Sequence, residues 1–121
     1  MHRFDFERWL DDWGRAWEGR DPNAFLLLLA PDVTWMRDPF ADPLHGPTAV
    51  YDSLRSGLAR TREIAFSWEV LTFADPRGVA HWDVTITPQS GPPVVSDGIL
   101  VADFDALGHC QLLREWWNRP S

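Results

Sequence analysis

A few side chains able to carry a proton stand where acid–base chemistry is practicable. Asp38 opens a loop rich in proline and aspartate that runs to Gly46, and His45 lies in the same loop. Glu115 alternates with Leu113 and Trp117 in the last apolar run, and His81 and Asp83 flank Trp82 in a middle one. A carboxylate held against apolar groups is partly desolvated. Its basicity rises, and it can take a proton from carbon next to a carbonyl. Each residue also has a plainer reading. Asp38-Pro39 can simply shape a loop, and His45 can bond backbone in a turn. His81 and Asp83 can be polar groups on an outer sheet face. Glu115 is the costly one, because a carboxylate between Leu and Trp must be paired or protonated.

Composition removes several other chemistries. All eleven basic residues are arginine, so a lysine Schiff base is excluded. Cys110 is the only cysteine, which excludes an internal disulfide and a multi-cysteine metal site. Its apolar strand-like setting reads as a buried inert thiol. Histidine and acidic residues lack metal-ligand spacing, and neither a glycine-rich phosphate loop nor a serine elbow is present. The expectation is therefore no metal and no cofactor. A net charge of −7 argues against nucleic acid and anionic membrane as partners. The N-terminus opens into a charged amphipathic segment, and no apolar run approaches a membrane span, so a cytoplasmic protein is expected.

The elements that must position these groups follow from periodicity. Phe6, Trp9, Leu10, Trp13, Ala16 and Trp17 form one helical stripe, with Asp5 as the expected N-cap and Gly19 as the stop. Asp21-Pro22 starts a second helix, apolar from Ala24 to Ala30 and closed by Pro31. A short strand, Val33 to Met36, leads into the Asp38 loop. Pro47 opens a third helix with Val50, Leu54 and Leu58 on one face. From Ile64 the period becomes two. Four hairpin-connected strands follow, up to Val70, then Val79–Thr87, Val94–Phe104 and His109 to about Trp117, before a tail at 118–121. Trp82, Val84 and Ile86 form the inward face of the second of these. One α+β domain over 1–121 is expected, with helices to one side of an antiparallel sheet.

This order resembles the nuclear transport factor 2-like superfamily, which includes ketosteroid isomerases, SnoaL-like polyketide cyclases and limonene epoxide hydrolases. The stretches that carry the resemblance are Gly-Arg-Asp-Pro-Asn-Ala-Phe (19–25), Ala-Pro-Asp-Val-Thr-Trp (30–35) and the Asp38-Pro39 loop to Gly46. The C-terminal markers are Phe104-Asp105-Ala106-Leu107-Gly108 and Leu113-Arg114-Glu115-Trp116-Trp117-Asn118. The resemblance implies a cone of three N-terminal helices on a curved antiparallel sheet. It also implies an apolar cavity inside the cone and a homodimer through the outer sheet face. It places Asp38 at the general base of ketosteroid isomerases. The oxyanion-stabilising tyrosine and aspartic acid of those enzymes fall on Trp13 and Leu100, and leucine can donate nothing, so a true steroid isomerase is not expected. It sets Glu115, with His81 and Asp83, against the epoxide hydrolase acid and Arg-x-Asp pair, histidine replacing the arginine. The implied substrate-lining set is Trp13, Trp17, Phe40, Tyr51, Trp82, Leu100, Leu113 and Trp117.

Three readings result. The first is a cofactor-free acid–base enzyme on a hydrophobic small molecule, of isomerase, cyclase, dehydratase or epoxide hydrolase type. The second is a binding module with the same cavity and no turnover. The third is a dimeric assembly protein whose cone is filled by tryptophan.

Overall fold

The computed structural model of the chain describes residues 1–119; the last two tail positions lie outside the described residues. The elements are α1 (Arg3–Gly19), α2 (Pro22–Leu26), β1 (Leu29–Met36), β2 (Leu44–His45), α3 (Gly46–Leu58), β3 (Thr61–Ala74), β4 (Arg77–Pro88), β5 (Val94–Phe104) and β6 (Cys110–Asn118). The helices pack on one face of a curved six-stranded sheet of order β2-β1-β6-β5-β4-β3.

Helix α1 buries the stripe read from its periodicity: Phe6, Trp9, Leu10, Trp13, Ala16 and Trp17. Its start differs by one turn. His2 takes the N-cap position, and Asp5 sits in the first turn, where its carboxylate accepts the His2 backbone N–H at 2.9 Å. An acid there also suits the positive end of the helix dipole. In α2 the Asp21 carboxylate accepts from the Asn23 N–H at 3.0 Å, as an N-cap should.

This second helix ends at Leu26 rather than Ala30. Leu28 accepts from the Cys110 N–H at 3.0 Å, and Leu29 pairs with Cys110. The apolar run is claimed by the sheet, because pairing satisfies its backbone while burying the same side chains.

Strands β3 to β6 form the expected antiparallel meander. The sheet as a whole is mixed, because β1 lies parallel to β6, with Trp35 beside Leu113 and Met36 beside Arg114. Period-two patterning gives the faces of β1 but not its direction. The short β2 adds an antiparallel edge at Thr34–His45.

Register decides what the cone contains. Ala80, Leu100 and Glu115 lie side by side across β4, β5 and β6, and Trp82, Gly98 and Trp117 form the next inward row. Gly98 is required there, since a Cβ would collide with the Trp116 carbonyl and the Trp82 ring. Trp13, Trp35 and Trp82 are fully buried. Trp9 stacks on Trp13 at 4.9 Å between ring centroids, and Trp13 meets Trp35 edge-on at 5.3 Å. Packed aromatics of this kind contribute about 2–3 kcal/mol each from buried area. Among the described residues no helix is long and apolar enough to cross a membrane.

Candidate functional site

The middle of β6 puts Leu113, Glu115 and Trp117 on the inward face of the sheet. Glu115 keeps 3% of its surface exposed, and its neighbour across the ladder is the fully buried Leu100. One hydrogen bond reaches the carboxylate from another element: the Trp35 indole N–H donates to Oε1 at 2.6 Å. Burial drives the Glu115 carboxyl up from 4.5 to about 7, against the opposing pull of the Arg37 charge and the Trp35 hydrogen bond. A carboxyl in that range is half protonated near neutral pH, so it can give or accept a proton with little bias.

Arg37 lies just past the end of β1, and its side chain returns to the ring of the inward-facing Trp35. Its guanidinium lies over the Trp35 ring at 4.8 Å, and its Nη1 donates to Ser53 Oγ at 3.2 Å. Burial lowers the Arg37 pKa, Glu115 raises it and Arg119 lowers it. Arg37, whose charge acts on the buried carboxyl, also lines a cavity of about 250 Å³. Trp17, Leu54, Leu58, Ile64, Ile86 and Trp117 form the apolar wall of that cavity, and Arg37, Ser53, Arg60, Thr61 and Arg119 its polar edge. A cavity of about 150 Å³ holds benzene, so this one has room for a one- or two-ring group. Deeper in the cone, the buried indole N–H groups of Trp13 and Trp82 have no hydrogen-bond partner among the described residues.

The other expected site residues are spread around the molecule. Asp38 is exposed, and its Oδ1 accepts the Phe40 N–H at 2.8 Å, the loop-shaping role. It lines a separate open groove with Arg37, Phe40, Trp117 and Arg119 rather than the cavity. Phe40 is 97% exposed. His45 is exposed and bonds Thr34 Oγ1 through Nδ1 at 3.1 Å, so it is not paired with Asp38. Tyr51 is half-buried on α3 and is not part of the cavity wall. Trp13, Trp82, Leu100 and Leu113 are packed in the core, whereas Trp17 and Trp117 line the cavity.

His81 and Asp83 face away from the cone, opposite to Trp82, and do not meet Glu115. His81 Nε2 donates to Asp97 Oδ2 at 3.0 Å, and its Nδ1 is 3.3 Å from Glu69 and 3.9 Å from Asp83. The Asp97 hydrogen bond is the chief reason that the His81 pKa is raised. His81, Asp83 and Asp97 bring ligand-type atoms within 4.8 Å of one another on the outer face. Spacing along the chain does not reveal this group, because the β4–β5 register assembles it.

Residue types alone did not point to Trp35, Arg37, Ser53, Arg60 or Arg119. Only Arg37 carried a usable signal, its place two residues after the inward-facing Trp35.

The profile of the SnoaL-like domain family matches residues 6–109. No curated protein matches the chain. Among solved structures, an NTF2-like protein of unknown function from Exiguobacterium sp. 255-15 superposes with a TM-score of 0.76 at 20% identity, covering 91% of this chain and 98% of that one. An LEH-like epoxide hydrolase of M. tuberculosis gives 0.74 at 14% identity, over 95% and 84%. A hypothetical protein with a ketosteroid isomerase-like fold from Catenulispora acidiphila, in complex with trimethylamine, gives 0.77 at 15% identity, over 89% and 83%. At these identities the likeness is one of fold.

Proposed function

We propose that this chain, which belongs to the SnoaL-like domain family, binds a small apolar molecule in the 250 Å³ cavity and moves a proton on it with Glu115. The observation that carries the reading is a buried carboxyl pushed up to about 7 under the influence of Arg37, one of three arginines that line the cavity. Perturbed acids of this kind concentrate at functional sites. Arg37 keeps the proton affinity of Glu115 in the working range and offers a cation to an oxygen that gains negative charge. The reaction class is proton transfer next to a carbonyl or at the oxygen of an epoxide or alcohol, which covers isomerase, dehydratase and hydrolase outcomes. The volume suits a one- or two-ring group. Glu115 is closed to solvent and is not in the cavity lining, so a substrate reaches it only when side chains of the lining move.

The test is deuterium exchange at the carbon next to the carbonyl of 2-cyclohexenone and 1-tetralone in D₂O, followed by proton NMR. Glu115→Gln should lower protein-dependent exchange by about 10²–10⁴-fold, the usual contribution of a general acid or base. Asp38→Asn should retain it. Exchange lost with Asp38→Asn and kept with Glu115→Gln would move the chemistry to the loop.

Binding without turnover is the second reading, and one observation favours it. Glu115 itself is not in the cavity wall, and Trp13, Trp35 and Trp82 occupy the cone around it. That reading expects ligands to raise the melting temperature while no exchange is catalysed.

A further inference from the structure

The charge around the cavity runs against that of the chain. Eighteen acidic residues outnumber eleven arginines overall. Yet three of those arginines, Arg37, Arg60 and Arg119, line this one cavity, and none of its lining residues is acidic. The arginine ion pairs among the described residues lie elsewhere, on Arg3, Arg15 and Arg77. Arg37 is held by Ser53 and the Trp35 ring, and Arg119 lies 5.7 Å over the Trp117 ring. Both guanidinium groups are therefore oriented by neutral partners, and only Arg37 has an acid acting on it, the buried Glu115, which holds its proton up to about 7. Asp38, in the adjoining groove beside Arg37 and Arg119, is the acid nearest in the lining of either space. Arg37 is half-buried while Arg60 and Arg119 reach solvent, so the rim of this apolar space carries a local concentration of positive charge that attracts an anion. Guanidinium forks match carboxylate oxygens in pairs.

We propose that the cavity takes a small amphipathic anion, a one- or two-ring carboxylate whose charged end meets Arg37, Arg60 and Arg119 and whose ring lies against Trp17, Trp117 and Leu54. This rests on the reading above only for where the ligand sits. It adds what the ligand carries besides the group at which a proton moves: a carboxylate, held at the mouth while the ring enters the cone first. The apolar wall supplies affinity from the ring, and the guanidinium rim selects charge.

Calorimetric titration of the full chain with benzoate and 2-naphthoate, against benzamide, 2-naphthamide and 2-naphthylmethylamine, tests this directly. The carboxylates should bind at least about tenfold tighter than the amides, and the amine should bind weakest. The double variant Arg60→Gln/Arg119→Gln should lose that preference, while both amides keep their affinity, which controls for an altered cavity. His81→Gln, on the outer face of the sheet, should keep the preference. Equal affinity for acid and amide, no binding of either acid at millimolar concentration, or a preference that survives the double variant overturns the proposal. The two readings fail separately. An ordinary glutamate titration of Glu115 with the carboxylate preference intact removes the proton-transfer reading alone. A raised titration with no such preference removes this one alone.

Discussion

Replacing Glu115 by glutamine should change how stability depends on pH more than how stable the protein is at its best. Glutamine keeps the shape and an oxygen that can accept the Trp35 N–H, which now ends on Glu115 Oε1. What it removes is the ability to ionise. The native carboxyl holds its proton to about 7 when folded and releases it near 4.5 when unfolded. Between those values the folded state binds more protons, so stability must fall as pH rises. It is fully present below 4.5 and lost by the time the pH has passed about 7. At 1.36 kcal/mol per pH unit, the whole span is worth about 3 kcal/mol. For a domain of this size that is roughly 10 °C in melting temperature. Urea unfolding at half-unit steps from pH 4 to pH 8.5 measures it. The native curve should drop relative to that of Glu115→Gln by about 3 kcal/mol across the window and run level with it below. Parallel curves would refute the reasoning, because burial would then not be holding the proton.

Four further outcomes follow from the same contacts. Arg37→Gln removes a positive charge that lowers the Glu115 pKa, so the carboxyl should titrate above about 7, read by carbon NMR of labelled glutamate. Trp35→Phe deletes the 2.6 Å hydrogen bond; it should also raise that titration and cost about 1.5–3 kcal/mol in urea unfolding when the carboxyl is ionised. Gly98→Ala should cost about 1–3 kcal/mol by chemical denaturation, since the new methyl meets the Trp82 ring and the Trp116 carbonyl. His81 has a raised pKa, chiefly from its Asp97 hydrogen bond, so its contribution is present below 6.5 and lost as pH rises through the raised value. His81→Gln should flatten the stability profile in that upper window without touching the Glu115 window.

The layout of the cone was legible because its elements announce themselves by period. The α1 stripe from Phe6 to Trp17 is buried residue for residue, and the inward phase of Trp82 and Val84 holds. Glu115 stood out for the same reason, as an acid on an apolar strand face. What was not legible depends on which strands are neighbours. That β1 runs parallel beside β6 brings Trp35 and Arg37 to Glu115 across some 80 positions, and no local pattern encodes that pairing. Apolar runs were ambiguous for a related reason. Leu28–Ala30 suits helix or strand equally well, and the Cys110 edge decides. The Asp-Pro motif pointed to Asp38 for chemistry, but its carboxylate is turned back on its own loop by the Phe40 N–H. The outward group of His81, Asp83 and Asp97 again needed the β4–β5 register.

The proton-transfer reading of the site depends on Glu115 keeping its proton into the neutral range. Carbon NMR of the protein labelled at glutamate Cδ, titrated from pH 4 to pH 9 with Glu115→Gln as the assignment control, reads that proton directly. The account predicts one resonance that titrates at about 7 and is missing in the variant. A Glu115 resonance that titrates near 4.5 or below would mean that Arg37 holds the carboxylate fully ionised, and the acid–base reading would fall.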